Sequence, residues 1–155
     1  MHRWLLCLFL LVSVLGCKPK VFPGTKIADN PENREVVEVI SAYQKAMESR
    51  DLELLLDMAT PDYYEDRGTL DKTDDYGLAE LKSNLTQRFS SIQQLRYTVK
   101  VKDIKINGDE ALVDFHYQML FQFKIGESAR WEQAEDDGQL ELRKVDKTWK
   151  IAAGL

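Results

Sequence analysis

Thiols and imidazoles are scarce in this chain: two cysteines and two histidines among 155 residues. Both cysteines, Cys7 and Cys17, fall in the first seventeen positions. No thiol pair is therefore left downstream to staple a fold, and no thiolate to hold a metal or act as a nucleophile. Beyond His2 the only histidine is His116, too little for a His-based zinc site or a Ser/His/Asp triad. A glycine-rich phosphate loop is missing. So is a positive surplus: 21 Lys+Arg stand against 26 Asp+Glu, a net charge of −5. Nucleic-acid binding needs clustered cations to replace phosphate counterions. These absences predict no cofactor, no metal and no nucleic-acid partner. The longest apolar run, Trp4 to Val12, is shorter than the about 20 residues a membrane-spanning helix needs.

What is present begins at the amino terminus. His2 and Arg3 precede that apolar run, Ser13 follows, and Val14-Leu15-Gly16-Cys17 comes next. A charged start, a short apolar middle and a small residue before a cut site form an export pattern. Ending on Gly16-Cys17, the segment resembles a bacterial lipoprotein signal, in which a small residue precedes an acylated cysteine. Val14 stands where leucine is more usual. The resemblance implies lipid attachment at Cys17, with diacylglycerol on sulfur and a third acyl chain on the amino group. Two or three acyl chains anchor stably where one binds reversibly. Lys18 follows the cysteine in place of the aspartate that retains many such proteins in the inner membrane, so the implied address is the cell envelope, with the outer membrane favoured. The division is then 1–16 signal peptide, 17–30 lipidated amino terminus and tether, and 31–155 folded domain. Removing 1–16 leaves 155 − 16 = 139 residues with a charge of 20 − 26 = −6, enough chain for one complete core. The composition, 10% aromatic and 30% charged, is that of a folded domain.

Lys18 to Asp29 carries Pro19, Pro23 and Gly24 without periodicity and reads as the tether. Asn30-Pro31 opens a first helix, with an N-cap followed by proline at the first helical position. Val36, Ile40, Tyr43 and Met47 mark its apolar face to about Ser49. Asp51 caps a second helix bearing Leu52, Leu55, Leu56 and Ala59, which Thr60-Pro61 stops. An irregular turn is expected over Asp62 to Asp66, then a polar loop over 67–75. Leu78, Leu81, Leu85, Phe89 and Ile92 mark a third helix. After it the period changes to two. Tyr97, Val99 and Val101 alternate with polar residues, and the phase slips to Ile104 and Ile106, predicting a bulge near Asp103. Asn107-Gly108-Asp109 reads as a hairpin turn. Ala111, Val113, Phe115, Tyr117, Met119, Phe121 and Phe123 then share one strand face, opposite Asp114, His116, Gln118, Gln122 and Lys124. After a turn at Gly126, a strand around Trp131 is expected to be interrupted by Glu135-Asp136-Asp137-Gly138. Leu140 and Leu142, a turn at Asp146-Lys147 and a closing strand from Trp149 to Leu155 complete the chain. Three helices followed by a meander with one apolar face predict an α+β domain of two layers.

In that order the chain resembles the NTF2-like superfamily, in particular its SnoaL and ketosteroid-isomerase-like branches. The resemblance lies in Ala42 to Leu52, in Leu55 to Tyr64 and in the final Trp149-Lys150-Ile151, and spans about 33–155. It implies a curved antiparallel sheet forming a cone, closed on one side by three helices around a pocket. It also implies candidate chemistry. Tyr43 matches a tyrosine that donates to a developing enolate oxygen, and Asp66, in Glu65-Asp66-Arg67-Gly68, matches the proton-shuttling base. A desolvated carboxylate and a buried phenol suit such work. The family's second oxyanion donor falls here on Gly138. Tyr43 equally completes the core stripe of its helix, and Asp66 equally belongs to an acidic loop.

Tyr43, Tyr64, Phe115 and Tyr117 are the expected pocket lining, with Tyr63 and Trp131 as further candidates for the lining or its rim. His116, beside Asp114 and Gln118, is expected on the outer sheet face as an exposed polar group. The acids over 132–137 read as a solvated loop. The outer face bears enough charge to favour a monomer or a weak homodimer. The functional expectation is a lipid-anchored envelope protein with a non-catalytic binding or accessory domain, contacting the membrane through its lipid and accepting a small hydrophobic ligand. The alternatives are an isomerase or cyclase using Asp66 and Tyr43, and a structural subunit of an envelope complex.

Overall fold

Asn30 opens the helical layer: its side-chain oxygen accepts from the Asn33 N–H at 2.8 Å, ahead of Pro31. In this computed structural model, which describes residues 20–66, 72–125 and 128–155, helix α1 spans Pro31–Ser49. It ends at Arg50 in the left-handed region (φ 56°), whose N–H bonds back to Met47. Asp51 then caps α2, Leu52–Met58, by accepting from the Leu54 N–H at 3.0 Å. The Thr60 N–H reaches the Ile151 carbonyl at 2.8 Å and ties the exit of α2 to the last strand. Where an irregular turn was expected, Tyr64–Glu65 (β1) pairs with Tyr76–Gly77 (β2). Helix α3 spans Leu78–Ser90, with the Glu80 carboxylate reaching back to the Gly77 N–H. Ile92 does not extend its stripe. It starts β3, paired with Phe123.

Four strands form the sheet in the order β3-β4-β5-β6, all antiparallel: β3 Ile92–Asn107, β4 Glu110–Ile125, β5 Ser128–Val145 and β6 Thr148–Ala153. The expected bulge is present between Val101 and Asp103. Asp146 and Lys147 both take positive φ, 50° and 67°, the pairing that lets a two-residue turn follow the twist of its strands. Two departures from expectation matter. First, β5 runs unbroken through Glu135-Asp136-Asp137-Gly138. The acids belong to a strand because β4 supplies a complete ladder of partners, from Gln118 opposite Glu135 to Phe115 opposite Gly138, and that pairing outweighs the low strand propensity of Asp and Gly. Second, the tether is largely folded. Residues 20–29 turn back on themselves through a Val21–Ala28 bridge and bury Ile27.

The core lies between the helices and one sheet face. Val36, Ile40, Tyr43, Ala46 and Met47 of α1, Leu55 of α2, and Leu81 and Leu85 of α3 meet Ala111, Val113, Phe115, Leu140, Leu142, Trp149 and Ile151. Of the seven apolar positions expected to alternate on β4, Ala111, Val113 and Phe115 are buried, and Tyr117, Met119 and Phe121 pack half-buried against the core. Phe123 lies beyond that cluster, with its ring 6.0 Å from that of Phe121. The edge strand β3 is partly covered from the helical side, where the Gln44 side-chain oxygen accepts from the Val99 N–H at 3.0 Å. That contact satisfies a donor an edge strand otherwise leaves open.

Candidate functional site

Tyr43 projects from α1 into the concave sheet face and is only 4% exposed. Helical periodicity places it there, because it shares the buried stripe of Val36, Ile40 and Met47. Its hydroxyl lies 3.0 Å from that of Tyr97, with the hydrogen bond running in either sense. The two rings meet edge to face at 5.8 Å, and Tyr97 stacks on Tyr117 at 5.6 Å. Phe115 closes the cluster, edge-on to Tyr43 at 6.2 Å. Burial pushes both phenols upward, foremost by desolvation, with the neighbouring Tyr43 adding to the effect at Tyr97. Both are neutral at ordinary pH. Two hydroxyls carry two hydrogens and spend one on their mutual bond, so the pair retains one O–H that can donate to an acceptor.

Three of the four expected lining residues, Tyr43, Phe115 and Tyr117, thus come together. The fourth does not. Tyr64 is 53% exposed on β1 and donates to the Asp75 carboxylate. That hydrogen bond, more than any other influence, pushes its phenol up, and the charges of Asp75 and Asp66 contribute. Asp66 follows β1, is exposed, and its charge acts on the Tyr64 phenol. Asp66 is therefore grouped with Tyr64 and Asp75, not with the Tyr43 cluster.

Glu65, on the other side of β1, turns inward. Its carboxylate accepts from the Gly154 N–H at 2.7 Å and from the Tyr63 hydroxyl at 3.3 Å. Tyr63 in turn accepts from the Leu155 N–H at 2.9 Å. Burial, above all, raises the Tyr63 phenol far out of the physiological range. This cluster holds the end of the sheet against β1 and β2.

Gly138 faces Phe115 across the strand pair. A Cβ built on Gly138 would come within 2.5 Å of the Phe115 ring. The aromatic ring occupies the space a side chain at 138 would need, so this position offers no hydrogen-bond donor to the concave face. Its neighbour two residues back, Asp136, pairs with Tyr117 and so lies on the concave side, exposed at the open end of β5.

The outer face holds the remaining candidates. His116 Nδ1 lies 3.0 Å from Asp137, which also accepts from Lys102 at 2.9 Å. The acid beside His116 is thus its cross-strand neighbour, while Asp114 accepts from Gln139 at 2.6 Å. Trp131 is 45% exposed opposite Gln122 on this outer face, away from the cup. Among the described residues, no group of three or more His, Cys, Asp or Glu side chains could hold a metal ion. Nor is any helix among them long and apolar enough to cross a membrane. Cys17, the expected lipid attachment point, and the signal segment 1–16 lie outside the described residues, as do the expected Gly126 turn and most of the 67–75 loop.

Tyr97 was not singled out in the sequence, and Asp136, next to Gly138, was read as an acid of a solvated loop. Tyr97 was legible as an inward strand position, but pairing it with Tyr43 needs the helix-to-sheet packing. Asp136 could be placed only once β5 proved continuous.

No family model matches this sequence, and no curated protein does. Solved structures do. An NTF2-like superfamily protein from Salmonella enterica superposes with a TM-score of 0.63 at 14% identity, covering 78% of this chain and 86% of that one. The fold is NTF2-like. A ketosteroid isomerase-like protein from Erwinia carotovora gives 0.64 at 17% identity, covering 81% and 94%. A conserved protein from Planctomyces limnophilus gives 0.66 at 16% identity, covering 79% and 92%. Identities this low make the likeness one of fold. The NTF2-like scaffold here sets its helices over one face of the sheet, where the rings of Tyr43, Tyr97, Phe115 and Tyr117 gather.

Proposed function

We propose that this protein is a lipid-anchored component of a bacterial cell envelope whose NTF2-like domain binds without catalysing. The observation that carries the reading is the separation of tyrosine and acid. Tyr43 lies under α1 with its hydroxyl engaged by Tyr97, while Asp66 is exposed beside Tyr64. A general base has to reach the proton it removes directly or through one water. The ring of Phe115 over Gly138 supports the same conclusion, since no second oxyanion donor fits there. The half-buried Tyr117, Met119 and Phe121, with the spare O–H of the Tyr43–Tyr97 pair, suit a small apolar ligand carrying one hydrogen-bond acceptor. Scaffold alone does not select a function, so the ligand is defined here by its chemistry only.

The anchor rests on the export pattern ending at Gly16-Cys17, and the outer-membrane preference on Lys18. The test is mass spectrometry of the mature amino terminus, taken from separated inner and outer membranes of the producing cell. The expected product starts at Cys17, carries acyl chains and fractionates with the outer membrane. An unmodified chain starting elsewhere overturns the anchor.

An isomerase or cyclase is the second reading. It is favoured by one observation: Asp136 stands on the concave side opposite Tyr117, giving the open end of the cup a carboxylate. Isomerisation of a cyclic ketone that is lost in both Tyr43→Phe and Asp136→Asn would establish it over the binding reading.

A further inference from the structure

The folded stretch 20–29 changes what an anchor at Cys17 means for the domain. Its backbone is closed by Phe22 N–H to Ile27 carbonyl at 3.0 Å and Asp29 N–H to Lys20 carbonyl at 2.7 Å. The Thr25 hydroxyl braces the turn from inside, donating to Phe22 at 3.0 Å and accepting from the Ile27 N–H at 3.1 Å. Gly24 takes the positive φ of 72° that the turn requires. Asp29 is gripped by Arg34 and, at 3.2 Å, by Lys20, and Asn33 Nδ2 donates to the Ala28 carbonyl at 2.8 Å. With Ile27 only 6% exposed, the segment belongs to the domain.

Only Lys18 and Pro19 therefore separate Cys17 from this folded unit, a reach of about 11 Å at full extension. A free tether over 17–30 would allow about 45 Å by the same measure. The headgroup layer is about 5–8 Å deep on each side of a bilayer. A leash this short leaves at most about 3–6 Å between the turn and the headgroup layer.

The surface it brings to the lipid is also suited to it. Val21 is 42% exposed, and Pro23 and Gly24 at the turn are exposed, with Phe22 half-buried beside them. Lys20 and Lys26 flank this apolar tip, and Lys100 lines the groove of about 320 Å³ between the turn, Val37 and Val101. Two acids of α1 are turned from it: Glu35 meets Lys144 and Trp149, and Glu38 lies along that same side. An apolar tip ringed by lysines fits the boundary between acyl chains and anionic headgroups.

We propose that the 20–29 turn is a membrane seat, pressed onto an anionic bilayer by the two-residue leash from Cys17. This rests on the anchor reading above. It fixes orientation as well as distance, because the turn lies against α1 and the β3 edge. The open edge of β5 is at the opposite side of the sheet and faces away from the lipid.

The test uses the full lipidated chain in vesicles of phosphatidylethanolamine and phosphatidylglycerol. An environment-sensitive fluorophore is placed at Pro23→Cys or, as a control, at Gln133→Cys on the outer side of β5. The proposal predicts that an aqueous quencher reaches position 23 severalfold less effectively than 133, with a blue-shifted emission at 23 alone. Equal access at both positions with the protein retained on the vesicles overturns the seat and leaves the anchor standing. Failure of the lipidated chain to stay on vesicles overturns both. Protection at 23 that grows with the protein-to-lipid ratio means a second copy covers the turn, and that too overturns the seat.

Discussion

One sheet has two unlike ends. At one, Ala111, Val113 and Phe115 of β4 face Leu140 and Leu142 of β5, with β6 alongside and the helices above, and every one of these side chains is at most 5% exposed. At the other, Tyr117 to Phe123 of the same strand face Arg130, Glu132, Ala134 and Asp136. Among the described residues β5 has no strand on its far side there, since β6 pairs only with Glu141 to Val145. The alternation along β4 is identical at both ends. What differs is what each end is given to pack against. Period two fixes which face a side chain takes, and the neighbouring elements decide whether that face is sealed core or open wall. The sealed end supplies stability, and the proposed binding surface lies at the open end.

The largest expected effect comes from truncating equivalent rings at the two ends. Phe115→Ala should cost about 3–5 kcal/mol of unfolding free energy by denaturant titration, as for other buried aromatics. Phe123→Ala should cost about 1 kcal/mol or less, because little area is lost from the core. Comparable losses would erase the distinction between the ends. Next, Gly138→Ala should destabilise by about 1–3 kcal/mol, because its Cβ meets the Phe115 ring. In a Phe115→Ala background the same change should be nearly neutral, and a double-mutant cycle measures the coupling.

Tyr97→Phe should cost about 1 kcal/mol through loss of the Tyr43 partner. The same phenols set an alkaline limit. Burial raises Tyr43 and Tyr97 in the folded state, so the folded protein holds their protons more tightly than the unfolded chain. Their contribution is complete below the unfolded value of about 10 and is lost as pH rises through the folded values. Unfolding midpoints should fall above about pH 10, and Tyr97→Phe should flatten that fall. The smallest effect is at acid pH. Asp29 and Asp137 are held low, chiefly by Arg34 and Lys102, so their contribution is present above the unfolded carboxylate range and fades as pH falls through it. Asp137 is exposed, and Asp29 pairs with the exposed Lys20 and Arg34, so salt should mask most of this loss.

Much of the closed end was legible because its signals are local. Asn30-Pro31 and Asp51 announce two helix starts by side-chain capping alone, and Asn107-Gly108 and Asp146-Lys147 announce two hairpins by turn chemistry. The open end was harder to read. Glu135-Asp136-Asp137-Gly138 has the composition of a loop, and it is a strand only because β4 lies alongside it. Ile92 fits the spacing of α3 and becomes a strand residue because Phe123, 31 positions on, pairs with it. The 20–29 turn has the prolines of a linker. What makes it structured is the burial of Ile27 and the grip of Arg34 and Asn33, contacts that no local pattern displays. For the site, the helix stripe located Tyr43, but its partner Tyr97 depends on how α1 crosses the sheet.

Native-state hydrogen exchange on the full chain tests most directly whether the sheet is divided into a sealed and an open half. Amides of Val113, Phe115, Leu140 and Leu142 should exchange only with global unfolding. Those of Trp131 to Asp137 that point to the unpaired edge of β5 should exchange at rates close to those of a free peptide. Uniform protection along the whole of β5 would mean that its edge is covered, and would contradict the account.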